Sequence, residues 1–133
     1  DGKVLTPKGN NGMPGIAAEY LYLGPGIGGG WFLGISGSDL QSSPILGITI
    51  NTDSLLLIEG NSYTMKEKKG FPYAIYQNGL NIYYILSGDT GEITITKHNQ
   101  SLRILSGRFS FIATSIYDQS KAQITEGRFD IRY

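Results

Sequence analysis

The side chains that could perform acid–base or nucleophilic chemistry are few and widely separated in this sequence. His98 is the only histidine, there is no cysteine, and the 11 acidic residues are scattered along the chain. A catalytic histidine needs a nucleophile or a carboxylate beside it, and no serine stands in a complete Gly-x-Ser-x-Gly segment. We therefore predict no catalytic residue and no metal site, and we interpret His98 as a solvated turn residue.

Other chemical motifs are weak. The segment Gly24–Gly29 matches the dinucleotide pattern G-x-G-x-x-G by letter, but Pro25 interrupts it and the extended run Trp31-Phe32-Leu33 follows. Asp89 and Glu92 lack the dense oxygen spacing of a calcium loop, so turn and capping roles are expected. No cofactor is predicted. Two carboxylates could still meet across space, so a carboxylate-dependent hydrolase is kept as the least favoured alternative.

Aromatic side chains form the one candidate ligand surface. The prediction is a stacking platform for a sugar or another flat apolar ligand, made by Trp31, Phe32, Tyr76 and Tyr83. Aromatic rings suit this role because they combine apolar area with a polar edge. The alternative is structural, since tyrosine packs well in any half-buried strand.

The elements that carry these residues are predicted to be strands. Hydrophobic residues make up 40% of the 133 residues, charged residues 17%, and 19 residues are glycine. Turn signals recur about every 8 to 12 residues, and no long stretch has a helical period. We predict one all-β domain over residues 1–133, mainly antiparallel, a β-sandwich or flattened barrel of about nine or ten strands. At most one short helical turn is expected, over 54–58, where a strand is equally plausible.

Asn78-Gly79 is the clearest hairpin signal. A two-residue turn there pairs Gln77 with Leu80 and Ile75 with Ile82. The face that holds Tyr76 and Tyr83 is then half-polar, the kind that either covers loops or contacts a ligand.

A three-residue segment occurs twice near the end of the chain, as Gly107-Arg108-Phe109 and Gly127-Arg128-Phe129. Before each glycine the apolar residues occupy even positions, as at Ile104 and Ile124, and after it they occupy odd positions. Alternation cannot change face without an extra residue, so we predict a bulge at each glycine. The phenylalanines then point inward and the arginines outward.

The spacing of these two strands suggests that they form a hairpin. Phe109 is expected near Phe129 in the core, and Arg108 near Asp130 on the outer face. The predicted role of the repeated segment is structural, as the closing hairpin of the fold, and is assigned to Gly107, Arg108, Phe109, Gly127, Phe129 and Asp130.

The charge balance excludes one class of partner. The chain has 11 basic and 11 acidic residues, whereas a nucleic-acid surface needs clustered lysine and arginine. No apolar run approaches the roughly 20 residues that span a bilayer. Because the sequence opens at Asp1 without an initiator methionine, we expect a mature fragment, with any export signal or lipid anchor upstream of it.

Three segments carry a family resemblance: Gly91–Lys97, Ile104–Ala113 and Ile124–Tyr133. They resemble a family of small Bacteroidetes-type envelope lipoproteins, a domain of unknown function whose closing strand reads I-T-x-G-R-F-D. Asp1-Gly2-Lys3 matches a turn of the same family. The resemblance implies export to the cell envelope and a lipid-anchored cysteine upstream. It implies no activity and no catalytic residues.

Together these patterns favour a non-catalytic binding or interaction domain at the cell envelope, or a secreted one. Its expected partner is a protein or a glycan, with membrane contact only through an upstream lipid anchor. The main alternative is a carrier whose barrel interior, lined by tyrosine and phenylalanine, holds a lipid or a glycan.

Overall fold

The computed structural model describes residues 4–133, and β-structure dominates them. They contain nine strands and one 3₁₀ turn at Pro25–Ile27. The strands are β1 (Ile16–Leu23), β2 (Gly30–Asp39), β3 (Leu46–Thr52), β4 (Ser62–Thr64), β5 (Pro72–Asn78), β6 (Asn81–Tyr84), β7 (Gly91–Asn99), β8 (Ile104–Ser115) and β9 (Lys121–Arg132). The predicted all-β class is confirmed. The predicted turn at Asp1-Gly2-Lys3 lies outside the described residues.

The strands form one open antiparallel sheet. Its order is β1-β2-β3-β5-β6-β8-β7-β4, and β9 pairs with β8. Along one edge of β8, residues 104–111 pair with β7 and residues 114–115 pair with β6. The opposite edge pairs with β9 over almost its whole length. The long β8–β9 hairpin therefore joins the two parts of the sheet.

The sheet bends until its first strand meets the end of its last strand. The ring of Tyr20 on β1 makes edge contacts with His98 on β7, at 5.1 Å between centroids, and with Tyr133 after β9, at 5.4 Å. Side chains of a single apolar cluster fill the interior, and its most deeply buried members include Leu33, Ile50, Leu57, Met65, Ala74, Ile93, Ile95, Leu105, Phe111 and Ala113. A sheet folded around one apolar core agrees with the predicted sandwich or flattened barrel.

The β5–β6 hairpin has the predicted faces but not the predicted register. Gln77 pairs with Ile82 and Asn78 with Asn81, so the two-residue loop is Gly79-Leu80. Gly79 has a φ of +62°, which suits a glycine at the first position of a type II′ turn. The shift is two residues, so every side chain keeps its face. The face that holds Tyr76 and Tyr83 is the inner one, because Ala74 and Ile85 are buried on the same face.

The single helical turn lies in the Gly24–Gly29 segment rather than at 54–58. It spans Pro25–Ile27, and the three glycines that follow it, Gly28 to Gly30, all have positive φ values. The chain then enters β2, in agreement with the predicted extended run. In the described part of the chain no helix has the length and apolar character to cross a membrane.

Candidate functional site

The four aromatic residues predicted to form a platform lie in two separate places. Tyr76 on β5 and Tyr83 on β6 are directly paired, with ring centroids 5.5 Å apart. Trp31 on β2 instead stacks on Tyr20 at 4.9 Å. Phe32 follows Trp31 in the same strand, and successive side chains of a strand point to opposite faces. The four-residue platform is therefore wrong, and ligand contact by the Tyr76–Tyr83 pair stays a prediction.

The two Gly-Arg-Phe segments pair with each other across β8 and β9. Gly107 lies opposite Phe129, Arg108 opposite Arg128, and Phe109 opposite Gly127. A segment that pairs antiparallel with its own copy about the middle residue must produce this pattern. It sets glycine against phenylalanine twice and arginine against arginine once.

On the inner face each phenylalanine ring covers the glycine of the other segment. A Cβ atom at Gly127 would fall against the ring of Phe109, and one at Gly107 would lie 2.5 Å from Cζ of Phe129. Glycine is required at both positions because only hydrogen leaves room for the ring. The two rings lie 6.4 Å apart between centroids, and Phe129 is only 8% exposed. The predicted inward orientation and proximity of the phenylalanines are confirmed.

The bulge prediction is right for β9 and wrong for β8. Between the Phe109 and Phe111 pairs, β9 has one residue more than β8, and Glu126 there has a φ of +55°. In β8 the alternation continues without a break, because Leu105 rather than Ile104 is the buried residue. The β7–β8 pair does contain an extra residue beside Gly107, but it is on β7: Thr96 lies between the pairs Ile95–Gly107 and Lys97–Ser106.

The outer face of β7, β8 and β9 is the candidate site. Arg108 and Arg128 are exposed there, and two open cavities of about 310 and 390 Å³ are both lined by them. The smaller cavity is also lined by Thr96 and Asp130. The larger one is also lined by Glu92, Thr94, Ser110 and Glu126. We call this set the arginine face; its members are Glu92, Thr94, Thr96, Arg108, Ser110, Glu126, Arg128 and Asp130.

Neither arginine of the arginine face has an acidic partner among residues 4–133. The ion pairs within 4.0 Å there are Lys8–Asp39 and Lys121–Asp89. Asp130 instead accepts a hydrogen bond from Ser106 Oγ at 2.7 Å. The predicted partnership of Arg108 with Asp130 is therefore wrong. The two share the outer face as expected, but the register differs from the predicted one by two residues.

His98 is not the solvated turn residue that the sequence suggested. It lies on β7 and is half-buried, with Nδ1 2.8 Å from the Leu57 carbonyl oxygen and Nε2 3.2 Å from the Tyr133 hydroxyl. A carbonyl oxygen can only accept, so Nδ1 carries a proton and donates it to Leu57, while Nε2 shares a hydrogen bond with the Tyr133 hydroxyl. Both ring nitrogens therefore make hydrogen bonds to distant parts of the chain.

Asp89 also has a structural role. Its side chain is 1% exposed, and its Oδ2 accepts hydrogen bonds from the Leu86 amide and from Thr114. Its Oδ1 accepts one from Lys121 at 2.6 Å. Burial raises the pKa of the carboxyl, but these hydrogen bonds outweigh burial and hold its pKa below the ordinary value. The arrangement agrees with the predicted turn role of this carboxylate.

Residues 4–133 contain no group of three acidic or histidine side chains that could hold a metal ion. Sequence reasoning missed Arg128 as a site residue, although it assigned Arg108. The signal was present in the repeat itself. A repeated segment on two neighbouring antiparallel strands can pair about its centre, and its middle residues then lie side by side.

These features define a class: an all-β domain whose closing hairpin presents two arginines on a polar outer face. The chain belongs to the family described as domain of unknown function DUF6252, whose model matches residues 33–130. The matched region includes both Gly-Arg-Phe segments. No curated protein and no solved structure matches the chain.

Proposed function

We propose that the protein is a non-catalytic binding domain of the cell envelope and that it binds its partner through the arginine face. One observation carries the proposal: two adjoining cavities share Arg108 and Arg128, neither of which has a carboxylate within 4.0 Å among residues 4–133. Like charges directly opposite each other destabilise a sheet. Because neither guanidinium group is in an ion pair among residues 4–133, the pair can bind an anionic group of a ligand.

The non-catalytic role is supported by how the best candidates for acid–base chemistry are used. His98 is tied through both ring nitrogens to Leu57 and Tyr133. Asp89 is tied through both carboxylate oxygens to Leu86, Thr114 and Lys121. Both groups stabilise contacts between strands and loops.

A surface site is favoured over the carrier alternative because the interior of the sheet is filled. A continuous apolar cluster occupies it, and both cavities lie on the outer face of the closing hairpin. The location at the cell envelope rests on the resemblance of the segments Gly91–Lys97, Ile104–Ala113 and Ile124–Tyr133 to envelope lipoproteins. Fractionation of the native cells tests it, and recovery in the cytosol would contradict it.

Amide NMR shifts of the ¹⁵N-labelled protein test the binding proposal. The probes are a neutral hexasaccharide, an acidic hexasaccharide, hexaglutamate, and vesicles of phosphatidylglycerol. At least one probe is expected to shift amides in 92–96, 106–110 and 126–130, and to be recovered chemically unchanged. The double variant Arg108→Gln/Arg128→Gln should abolish the shifts.

Arg132→Gln is the matched control. Arg132 is an exposed arginine of β9 that lies opposite Ile104 and lines neither cavity. The control should bind as the wild type does. A panel in which no probe shifts the arginine face, or in which the double variant binds normally, would refute the proposal.

A further inference from the structure

Two arginines that lie side by side on neighbouring strands form a receptor for a planar anion. The Cβ atoms of directly opposite residues are about 5 Å apart, so one carboxylate can accept from both guanidinium groups. Arginine suits this geometry because its planar fork matches a carboxylate with two parallel hydrogen bonds. The surroundings of Arg108 and Arg128 then decide what kind of molecule carries the anion.

The rest of the arginine face is rich in hydrogen-bond acceptors. Glu92, Glu126 and Asp130 line the two cavities and make no ion pair among residues 4–133. Two positive and three negative groups leave the lining with a net charge of −1. A peptide with an acidic side chain at every residue would set its closely spaced carboxylates against these three.

Hydroxyl groups complete the arginine face. Thr94 and Ser110 line the larger cavity, and Thr96 lines the smaller one. Carboxylates and hydroxyls that surround two guanidinium groups match a ligand with widely spaced anions and many hydroxyl groups. The two cavities, of about 310 and 390 Å³, are each large enough for a small ligand and adjoin at the arginines.

We propose that the arginine face binds an acidic glycan with spaced carboxylates, one uronate of which sits between Arg108 and Arg128. The inference rests on the proposed binding function and narrows its ligand. The neighbouring sugars lie in the two cavities, where their hydroxyl groups donate to Glu92, Glu126 and Asp130. Each sugar donor then meets an acceptor, and the single anion meets both cations.

The test compares three probes on the wild-type protein by calorimetry and by amide NMR shifts. They are a hexasaccharide of alternating glucuronate and N-acetylglucosamine, its methyl ester, and hexaglutamate. The free acid should bind about tenfold more tightly than the ester, because esterification removes the anion and keeps the hydroxyl groups. It should also bind more tightly than hexaglutamate, and shift amides in 92–96, 106–110 and 126–130.

Variants then assign the contact. Arg108→Gln and Arg128→Gln should each weaken binding of the free acid about tenfold, with little effect on the ester. Arg108→Lys should not restore full affinity, because an ammonium group lacks the planar fork. Arg132→Gln should bind as the wild type does. Melting temperatures verify that each variant is folded, and the acid-to-ester comparison needs no variant at all.

The outcomes separate this inference from the function it rests on. If hexaglutamate or the ester binds the arginine face as tightly as the free acid, the glycan inference is overturned and the binding function stands. If the acidic hexasaccharide does not shift the face but another probe does, the result is the same. If no probe of the wider panel shifts the amide resonances of the arginine face, both the glycan inference and the binding function are overturned.

Discussion

Arg108 lies directly opposite Arg128 in the β8–β9 pair, and the same register sets each glycine of the repeated segment against a phenylalanine. The inner contacts and the outer charges are therefore parts of one arrangement. Inside, the Phe109 and Phe129 rings cover the facing glycines and fix the strands. Outside, those strands hold two like charges side by side, an arrangement that costs stability.

The ring-over-glycine contacts predict a measurable difference between the two copies. The three atoms nearest to a Cβ at Gly127 all belong to the Phe109 ring, whereas a Cβ at Gly107 would lie against Phe129 and 2.6 Å from the Thr94 carbonyl oxygen. Gly127→Ala and Gly107→Ala should each destabilise by about 1–3 kcal/mol or more through overpacking. Urea denaturation measures both.

Ring removal distinguishes the copies further. Gly127→Ala/Phe109→Leu should recover stability relative to the sum of its single variants, because the nearest clashing atoms belong to the Phe109 side chain. Gly107→Ala/Phe129→Leu should recover less, since the backbone oxygen of Thr94 remains in place. Equal recovery in the two double variants would mean that the copies are not packed as described.

How much of this could be read from the sequence depends on whether a feature has a period of two. Strand faces do, so the inward phenylalanines and the outward arginines were predictable. The alternation of apolar and polar residues does not determine strand register in the same way. Both hairpins, at Gly79-Leu80 and between β8 and β9, are shifted by two residues from their predicted pairings. A shift of two leaves every face unchanged but replaces Asp130 with Arg128 as the residue opposite Arg108.

Other parts of the site depend on contacts between distant segments. Trp31 and Tyr76 each seemed free to meet a ligand, yet Trp31 stacks on Tyr20 from the neighbouring strand. His98 seemed exposed, yet it contacts the Leu57 carbonyl, 41 residues away. Local propensity carries no information about such partners, since they follow from how the sheet bends.

The buried carboxylate of Asp89 predicts how stability changes in acid. Its folded pKa lies below the ordinary value of about 3.9, so it stabilises the fold above that pH and loses this contribution as the pH falls through the folded pKa. Asp89→Asn should lower the free energy of unfolding at pH 7 by about 1–3 kcal/mol, because three donors lose a charged acceptor. The difference from wild type should shrink as the pH falls below the ordinary pKa of about 3.9.

Two lysine variants provide the comparison for Asp89. Lys121→Met breaks the ion pair with a carboxylate that is 1% exposed, whereas Lys8→Met breaks one with Asp39 at 3.7 Å, whose side chain is 15% exposed. Lys121→Met should cost more, because its contact is shorter, 2.6 Å against 3.7 Å, and its carboxylate is the more deeply buried of the two. A Lys8→Met effect as large as that of Lys121→Met would contradict this account.

The hydrogen bonds of His98 predict which amide can replace it. Asparagine places its N–H₂ group near the position of Nδ1, and glutamine places its own near Nε2. His98→Asn can still donate to the Leu57 carbonyl, whereas His98→Gln leaves that oxygen without its donor. We expect His98→Asn to be more stable by about 1 kcal/mol in urea denaturation. The reverse order would contradict donation from Nδ1 to the Leu57 carbonyl.

The paired tyrosines of the inner face predict a loss of stability in alkali. Burial raises the pKa of Tyr76, and the neighbouring Tyr83 adds to the effect. A phenol whose folded pKa lies above its ordinary value of about 10 stabilises fully below that pH and loses its contribution as the pH rises through the folded pKa. At pH 7 the Tyr76→Phe variant should therefore unfold at a urea midpoint close to that of the wild type. Between pH 9 and about 11.5 the midpoint of the variant should fall less than that of the wild type.

Tyr20→Phe separates ionisation from hydrogen bonding. The pKa of Tyr20 is also raised by burial, but its hydroxyl accepts a hydrogen bond from the Leu57 amide at 3.0 Å. Its loss should lower stability at every pH by about 1–3 kcal/mol, since a buried N–H is left without an acceptor. If Tyr76→Phe behaved in the same way at pH 7, its hydroxyl would have to be holding a partner. The Tyr76–Tyr83 pair would then be a polar contact of the core rather than a surface available to a ligand.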